Sequence, residues 1–142
     1  IRAPRYLAQR SRAHSHEGPQ GPKISVAHAY TSLPLPIGWL VALIAPTRLP
    51  LHAIRVGEHT FATVPGEATT MTGARIEDAV SAAAWGGPAS VIGFAGDYGG
   101  YWVSPEEYLE QRYEAASTIF GREASARLVE RLAALASAIS GP

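Results

Sequence analysis

Apolar and polar residues alternate between positions 51 and 64, which is the period of a half-buried β-strand. Two such stretches, Leu51–Val56 and His59–Val64, flank the dipeptide Gly57-Glu58. A two-residue loop with glycine first is typical of a type II′ turn. The pattern therefore predicts a β-hairpin over these residues.

A helix is predicted shortly after the hairpin. Pro65-Gly66 ends the second strand and leaves Glu67 just beyond it. Thr69 or Thr70 can cap a helix at its start, and Trp85–Pro88 ends it. Apolar residues recur between these limits at helical spacing: Ile76, Val80 and Ala83. Glu67 is therefore predicted to lie at a strand-to-helix junction.

The pattern then repeats as strand, loop and helix. The continuous apolar run Ala89–Ala95 is typical of a central strand, and the glycine-rich loop Gly96–Tyr101 follows it. Ser104–Glu107 combines an N-cap serine, a proline at the first helical position and a capping-box glutamate. A helix is predicted to start there, with Tyr108 and Tyr113 on it or just beyond.

A last helix is predicted from about Arg122 to Gly141. Four apolar residues recur on one of its faces: Leu128, Leu132, Leu135 and Ile139. Short strands and a hairpin, followed by helix, strand, helix and helix, predict an α/β fold and a piece of a larger α/β domain. Because such folds collect chemistry beyond their strand ends, Glu67 and the tyrosine loop are expected to share a site.

The amino-terminal part has a different pattern. Residues 1–23 lack apolar periodicity and are rich in breakers, which predicts a flexible arm, and order is expected from Ile24. Ile37–Ala45 is apolar but lies between two prolines and is too short to span a bilayer, so it is interpreted as a buried strand. No transmembrane segment is predicted.

Charge and composition narrow the function classes. Lys plus Arg number 12 and Asp plus Glu number 12, so the chain lacks the overall basic field that nucleic-acid binding requires. Its 142 residues with 46% apolar content suit one globular domain. The absence of cysteine excludes disulfides and thiolate zinc sites.

Two long segments resemble the neutral ceramidase family. Val64–Gly73 resembles the family stretch P-G-E-x-T-T-M-x-G, and Tyr98–Gly121 resembles Y-x-x-Y-x-x-(T/S)-x-x-E-Y-x-x-Q-x-Y-E-x-A-S-T-x-(Y/F)-G. Their order and approximate separation agree as well. The similarity covers about residues 50–140, and the first fifty match only loosely. It implies that residues 24–142 form a carboxy-terminal part of the catalytic domain of a zinc-dependent amide hydrolase.

The resemblance also implies roles for three residues. Glu67 and Tyr101 correspond to zinc ligands, which two upstream histidines complete, and hard carboxylate and phenolate oxygens suit Zn²⁺. An open position on the metal would lower the pKa of a water towards about 7 for attack on the amide carbonyl. Tyr113 corresponds to a donor that stabilises the oxyanion. The implied substrate is ceramide at a membrane surface, and the implied location is secreted or membrane-associated.

The chain departs from the family pattern in its histidines. None of them falls in the family's histidine motifs: His14, His16, His28, His52 and His59. His14-Ser-His16 is interpreted as part of the arm, and His52 and His59 are expected to face solvent. The two family histidines and the active-site serine are expected in a missing upstream part of the domain, so the chain alone is expected to be inactive.

Without the resemblance, these residues have other interpretations. Glu67 would be an ordinary acid at a helix start, and Tyr98 and Tyr108 are interpreted as half-buried packing aromatics. Ser104 and Ser117 have no base spaced to activate them, and capping explains Ser104. A non-catalytic scaffold domain that retains the fold, or an unrelated α/β hydrolase of another amide, are the alternative functions.

Overall fold

A computed structural model describes residues 45–110 and 112–140. The described strands are β1 (Ala53–Val56), β2 (His59–Thr63), β3 (Glu67–Ala68), β4 (Ala89–Ile92) and β5 (Tyr101–Trp102). The described helices are α1 (Thr70–Ala83), α2 (Pro105–Glu110), α3 (Tyr113–Ala116) and α4 (Ala124–Ile139). Strands and helices thus alternate as an α/β fold requires, which confirms the predicted class. The expected arm, residues 24–44 and the helix stop at Gly141 lie outside the described residues.

The predicted hairpin is present. β1 pairs antiparallel with β2, and the partners Val56 and His59 leave Gly57-Glu58 as a two-residue loop. Gly57 has φ +62°, the left-handed backbone that the first position of a type II′ turn requires. On β2, Ala62 is buried, so the hairpin directs its second strand towards the core.

The prediction of a central strand over Ala89–Ala95 is wrong in two respects. β4 ends at Ile92, and among the described strands it lies at the edge of the sheet β1-β2-β4, parallel to β2. The reason is a change in hydrogen bonding after Ile92. The amides of Phe94 and Ala95 donate to the carbonyl oxygens of Gly66 and Val64, at 2.9 and 3.2 Å, so the chain leaves the sheet.

Helices α1 and α4 cover the sheet and enclose the core. Thr69 caps α1 and accepts a bond from the amide of Thr72, as the sequence predicts. The buried core comprises Ala62, Val64, Ile76, Val80, Trp102, Ala124, Leu128, Leu132 and Ala136. The predicted apolar face of α4 is therefore partly wrong, since Leu135 and Ile139 are 37% and 41% exposed. Positions 128, 132 and 136 form one i, i+4 ridge, and such ridges are the rows that pack between helices.

One carboxylate connects the starts of α1 and α2. Glu107 Oε2 accepts from the backbone amide of Ser104 at 2.8 Å and from the hydroxyl of Thr69 at 2.7 Å. The amide of Glu107 donates in return to Ser104 Oγ at 3.2 Å. The predicted capping box of α2 is confirmed. The structure adds that the same glutamate also holds the N-cap residue of α1.

Replacing Glu107 with Ala is expected to lower the free energy of unfolding by about 2 kcal/mol, because two helix caps lose a partner. Glu106→Ala on the same helix is the matched control. The Glu106 carboxylate is exposed and pairs with Arg75 at 2.9 Å, which lowers the pKa of Glu106 to about 2. Surface pairs contribute little, so its melting temperature should hardly change. Equal shifts for both variants in thermal unfolding would contradict the shared-cap interpretation.

Candidate active site

Two short parallel strands bring Glu67 and Tyr101 together. β3 and β5 form their own two-stranded sheet, in which Glu67 pairs with Tyr101 and Ala68 with Trp102. Neighbouring strands lie about 4.8 Å apart and paired residues point to the same face. The amide of Glu67 also donates to the carbonyl oxygen of Gly100 at 2.9 Å. Glu67 and Tyr101 are therefore neighbours, as expected, while their role as metal ligands stays a prediction.

The turn before β3 fixes the direction of Glu67. The indole nitrogen of Trp102 donates to the carbonyl oxygen of Pro65 at 3.0 Å inside the core. The amide of Gly99 donates to the same oxygen at 2.8 Å. Gly66 has φ +140°, a conformation that residues with a side chain rarely adopt. A tightly packed backbone therefore presents Glu67 at the surface of the fold.

Tyr113 packs edge-on against Tyr101. Their ring centroids lie 5.7 Å apart with the planes at 78°, an edge-to-face contact. Tyr101 also packs against a small buried cluster formed by Val103, Tyr108 and Ala115. Burial raises the pKa of Tyr101, and hydrogen bonding to Tyr113 and the nearby Glu67 charge raise it further. These effects favour the neutral phenol form of Tyr101 at neutral pH.

Tyr98 belongs with Glu67, Tyr101 and Tyr113, although the sequence patterns did not identify it as a site residue. Its hydroxyl donates to Glu67 Oε1 at 2.6 Å, and this bond is the main cause that raises the pKa of Tyr98. The ring is 51% exposed and stacks on Phe94. The interpretation as a packing aromatic with its tip in water is thus wrong, because the tip binds a carboxylate. Tyr98 begins the second motif, but its contact depends on a loop path that the pattern does not give.

The remaining candidates lie outside this group. The Ser104 side chain is buried and serves as the α2 cap. His52 is exposed, as predicted, and its ring lies 3.2 Å from the Thr63 hydroxyl. His59 is only half-exposed, because it stacks on Phe61 and lies 3.0 Å from Ser90 Oγ. Tyr108 is buried rather than half-buried.

The oxygen donors of Glu67 and Tyr101 have the chemistry of zinc ligands. A carboxylate and a phenol side by side suit a hard to borderline cation such as Zn²⁺, which takes four ligands in a closed site. In residues 45–110 and 112–140, no group of three or more His, Cys, Asp and Glu side chains could hold a metal ion. The pair therefore fits as half of a zinc site, and a complete site needs further ligands.

The sequence matches the model of a known protein family. A family model described as "Neutral/alkaline non-lysosomal ceramidase, N-terminal" matches residues 9–130. The chain belongs to the neutral/alkaline non-lysosomal ceramidase family. The match begins well before residue 50, so the similarity extends further upstream than the two motifs indicate.

Individual relatives agree with this assignment. The chain is 38% identical over 93 residues to the neutral ceramidase of Mycobacterium tuberculosis, which covers 64% of this chain and 15% of the relative. It is 34% identical over 104 residues to neutral ceramidase 2 of Arabidopsis thaliana, covering 67% and 14%. The crystal structure of neutral ceramidase from Pseudomonas aeruginosa superposes with a TM-score of 0.63 at 36% identity, covering 68% of this chain and 16% of that one. The chain thus spans about one-seventh of the relatives' length.

Proposed function

We propose that this chain supplies part of the active site of a zinc-dependent amidase that hydrolyses the N-acyl bond of ceramide to sphingosine and a fatty acid. The observation that carries the proposal is the register pair Glu67 and Tyr101, with Tyr113 edge-on to the tyrosine. All three occupy positions of the family motifs.

Glu67 and Tyr101 would hold the metal through oxygen, with further ligands from outside the described residues. Zinc, when bound, supplies Lewis-acid chemistry and a water of lowered pKa. Glu67 lies on β3. Its backbone is fixed because its amide donates to the Gly100 carbonyl oxygen and because the Pro65-Gly66 turn precedes it. Tyr101 is held by the cluster that contains Val103 and Ala115. Two ligands on adjacent paired strands keep a constant separation, which a metal site requires.

Tyr113 would stabilise the charge that develops on the substrate's carbonyl oxygen. Hydrolysis adds water to the amide carbonyl carbon, and negative charge grows on the carbonyl oxygen before the C–N bond breaks and the amine leaves with a proton. A phenol donates a hydrogen bond to that oxygen without carrying a charge of its own. The ring of Tyr113 packs edge-on against Tyr101, and a side-chain hydrogen bond joins the two residues, one of which is a proposed metal ligand.

The proposed substrate is a lipid that enters from a membrane surface. No helix among residues 45–110 and 112–140 has the length and apolar character needed to cross a bilayer. Phe94 and Tyr98 are 69% and 51% exposed, and Tyr98, on which Phe94 stacks, contacts Glu67. Exposed aromatic rings next to a polar centre suit a substrate with a polar amide head and apolar chains.

The proposal can be tested with a chimaera in which this chain replaces the matching segment of the Mycobacterium tuberculosis neutral ceramidase. It is expected to bind one zinc ion and to hydrolyse a fluorescent ceramide. Glu67→Gln should weaken zinc binding by at least tenfold and abolish turnover. Glu58→Gln is the matched control, since this exposed carboxylate lies at the other end of β2, in the hairpin loop.

The unfused chain is the second control. Two oxygen ligands alone make a poor zinc site, so we expect weak zinc binding by calorimetry and no ceramide turnover. Turnover by the unfused chain that a chelator abolishes would contradict the assignment of a partial site. A folded chimaera that retains turnover after Glu67→Gln would contradict the proposed function itself.

A further inference from the structure

We propose that Tyr98 is a positioning residue for Glu67, which fixes the carboxylate in the orientation required of a metal ligand. The inference rests on the proposed function for its metal part. The contact that carries it is direct, since the hydroxyl of Tyr98 donates to Glu67 Oε1. The oxygen-to-oxygen distance of 2.6 Å lies in the short range of charge-assisted bonds between a hydroxyl and a carboxylate.

Glu67 needs such a partner because its own strand does not order its side chain. β3 has only two residues, and Glu67 is half-exposed there. A glutamate side chain has three rotatable bonds and in an exposed position samples several rotamers, which lowers its affinity for a metal. A bond to Oε1 restricts this freedom and holds the carboxylate against the Tyr98 hydroxyl. Partners of metal ligands commonly have this function.

The backbone around Tyr98 is tied to the backbone around Glu67. The amides of Phe94 and Gly99 donate to the carbonyl oxygens of Gly66 and Pro65, at 2.9 and 2.8 Å, and these bonds bracket Tyr98 in the chain. Donor and acceptor therefore belong to one hydrogen-bonded unit. Relative movement of Tyr98 and Glu67 requires breaking bonds on both sides of the loop.

The ring of Tyr98 is also held. Phe94 stacks on it with ring centroids 6.0 Å apart and planes at 13°. Phe94 adopts φ +54°, a left-handed conformation that is costly for a bulky residue and clusters at functional sites. The amide of Tyr98 donates to Asp97 Oδ1 at 2.7 Å. These restraints on an exposed ring indicate that the Tyr98 hydroxyl is positioned for one acceptor, the Glu67 carboxylate.

The first test uses the 142-residue chain without metal. Tyr98→Phe removes the donor and keeps the ring, so ¹³C relaxation should show a clear loss of order in the Glu67 side chain. Phe94→Leu keeps the hydroxyl and removes the stacking ring, so a smaller loss is expected. Ser81→Ala is the control, since it removes a hydroxyl that donates to the carbonyl oxygen of Gly87 at the other end of α1. Unchanged order at Glu67 in Tyr98→Phe overturns the inference.

The second test uses the chimaera. Tyr98→Phe should weaken zinc binding by roughly 10- to 100-fold, the range seen for partners of metal ligands, with an unchanged melting temperature for the metal-free protein. Equal zinc affinity in the two proteins overturns the metal part of the inference. A chimaera that binds no zinc with the native Tyr98 contradicts the proposed function instead. In that case the relaxation result still decides whether Tyr98 positions Glu67.

Discussion

Tyr113→Phe in the chimaera is expected to lower kcat for ceramide by roughly a hundredfold, on the scale of other oxyanion donors. KM should change little, because a donor aimed at the developing charge acts mainly on the transition state. The substitution removes one hydroxyl and leaves the edge-to-face contact with Tyr101 in place. Zinc binding should therefore persist. Steady-state kinetics and a zinc titration on the same preparation measure these expectations.

A purely structural role for Tyr113 predicts a different result. Tyr113 opens the short helix α3 and packs beside Tyr101, so loss of packing would lower the melting temperature and leave kcat close to normal. A kcat in Tyr113→Phe equal to that of the native chimaera would remove Tyr113 from the catalytic residues.

Gly66→Ala is expected to destabilise the chain by roughly 3–5 kcal/mol, among the largest effects of a single substitution. Gly66 has φ +140°, and a Cβ atom there would collide with the Gly100 carbonyl oxygen and lie 2.8 Å from the indole nitrogen of Trp102. The neighbouring backbone cannot move without breaking the bond between Trp102 and Pro65. Chemical denaturation of the purified chain measures the loss.

Gly73→Ala is the matched control for this prediction. Gly73 lies inside α1, and a Cβ atom there would meet nothing within 4 Å. Alanine in a helix interior is favoured over glycine by about 0.5–1 kcal/mol, so this variant should be slightly more stable than the native chain. Opposite signs for the two substitutions are the expected outcome. A mild effect of Gly66→Ala would show that the turn before β3 can rearrange.

Gly66 is important both for the stability of the fold and for the orientation of Glu67 in the site. The same turn that excludes a side chain at Gly66 accepts the bond from Trp102, a member of the main core, and leads directly into Glu67. The Phe94 amide donates to the carbonyl oxygen of Gly66, so the tyrosine loop depends on this turn as well. Damage there is expected to affect stability and the orientation of Glu67 together.

Local sequence patterns determined much of the secondary structure of this protein. The hairpin at Gly57-Glu58, the Thr69 cap and the Ser104–Glu107 capping box follow from residue types within four positions of each other. Such features need only short-range geometry, so a single sequence contains the information. The two family motifs likewise identified Glu67 and Tyr101 as neighbours, although their metal-binding role stays a prediction.

Only the tertiary structure decided the features that depend on distant parts of the chain. The apolar run at Ala89–Ala95 has the composition of a central strand, yet β4 ends at Ile92 because the following amides bond to the turn at Val64–Gly66. On α4, Ala136 is buried and Leu135 is not, because packing against α1 selects one ridge among several that the periodicity allows. The bond between Tyr98 and Glu67 joins residues 31 positions apart. Hydrogen bonds and contacts of this kind are set by how the elements pack, which no local pattern of residues specifies.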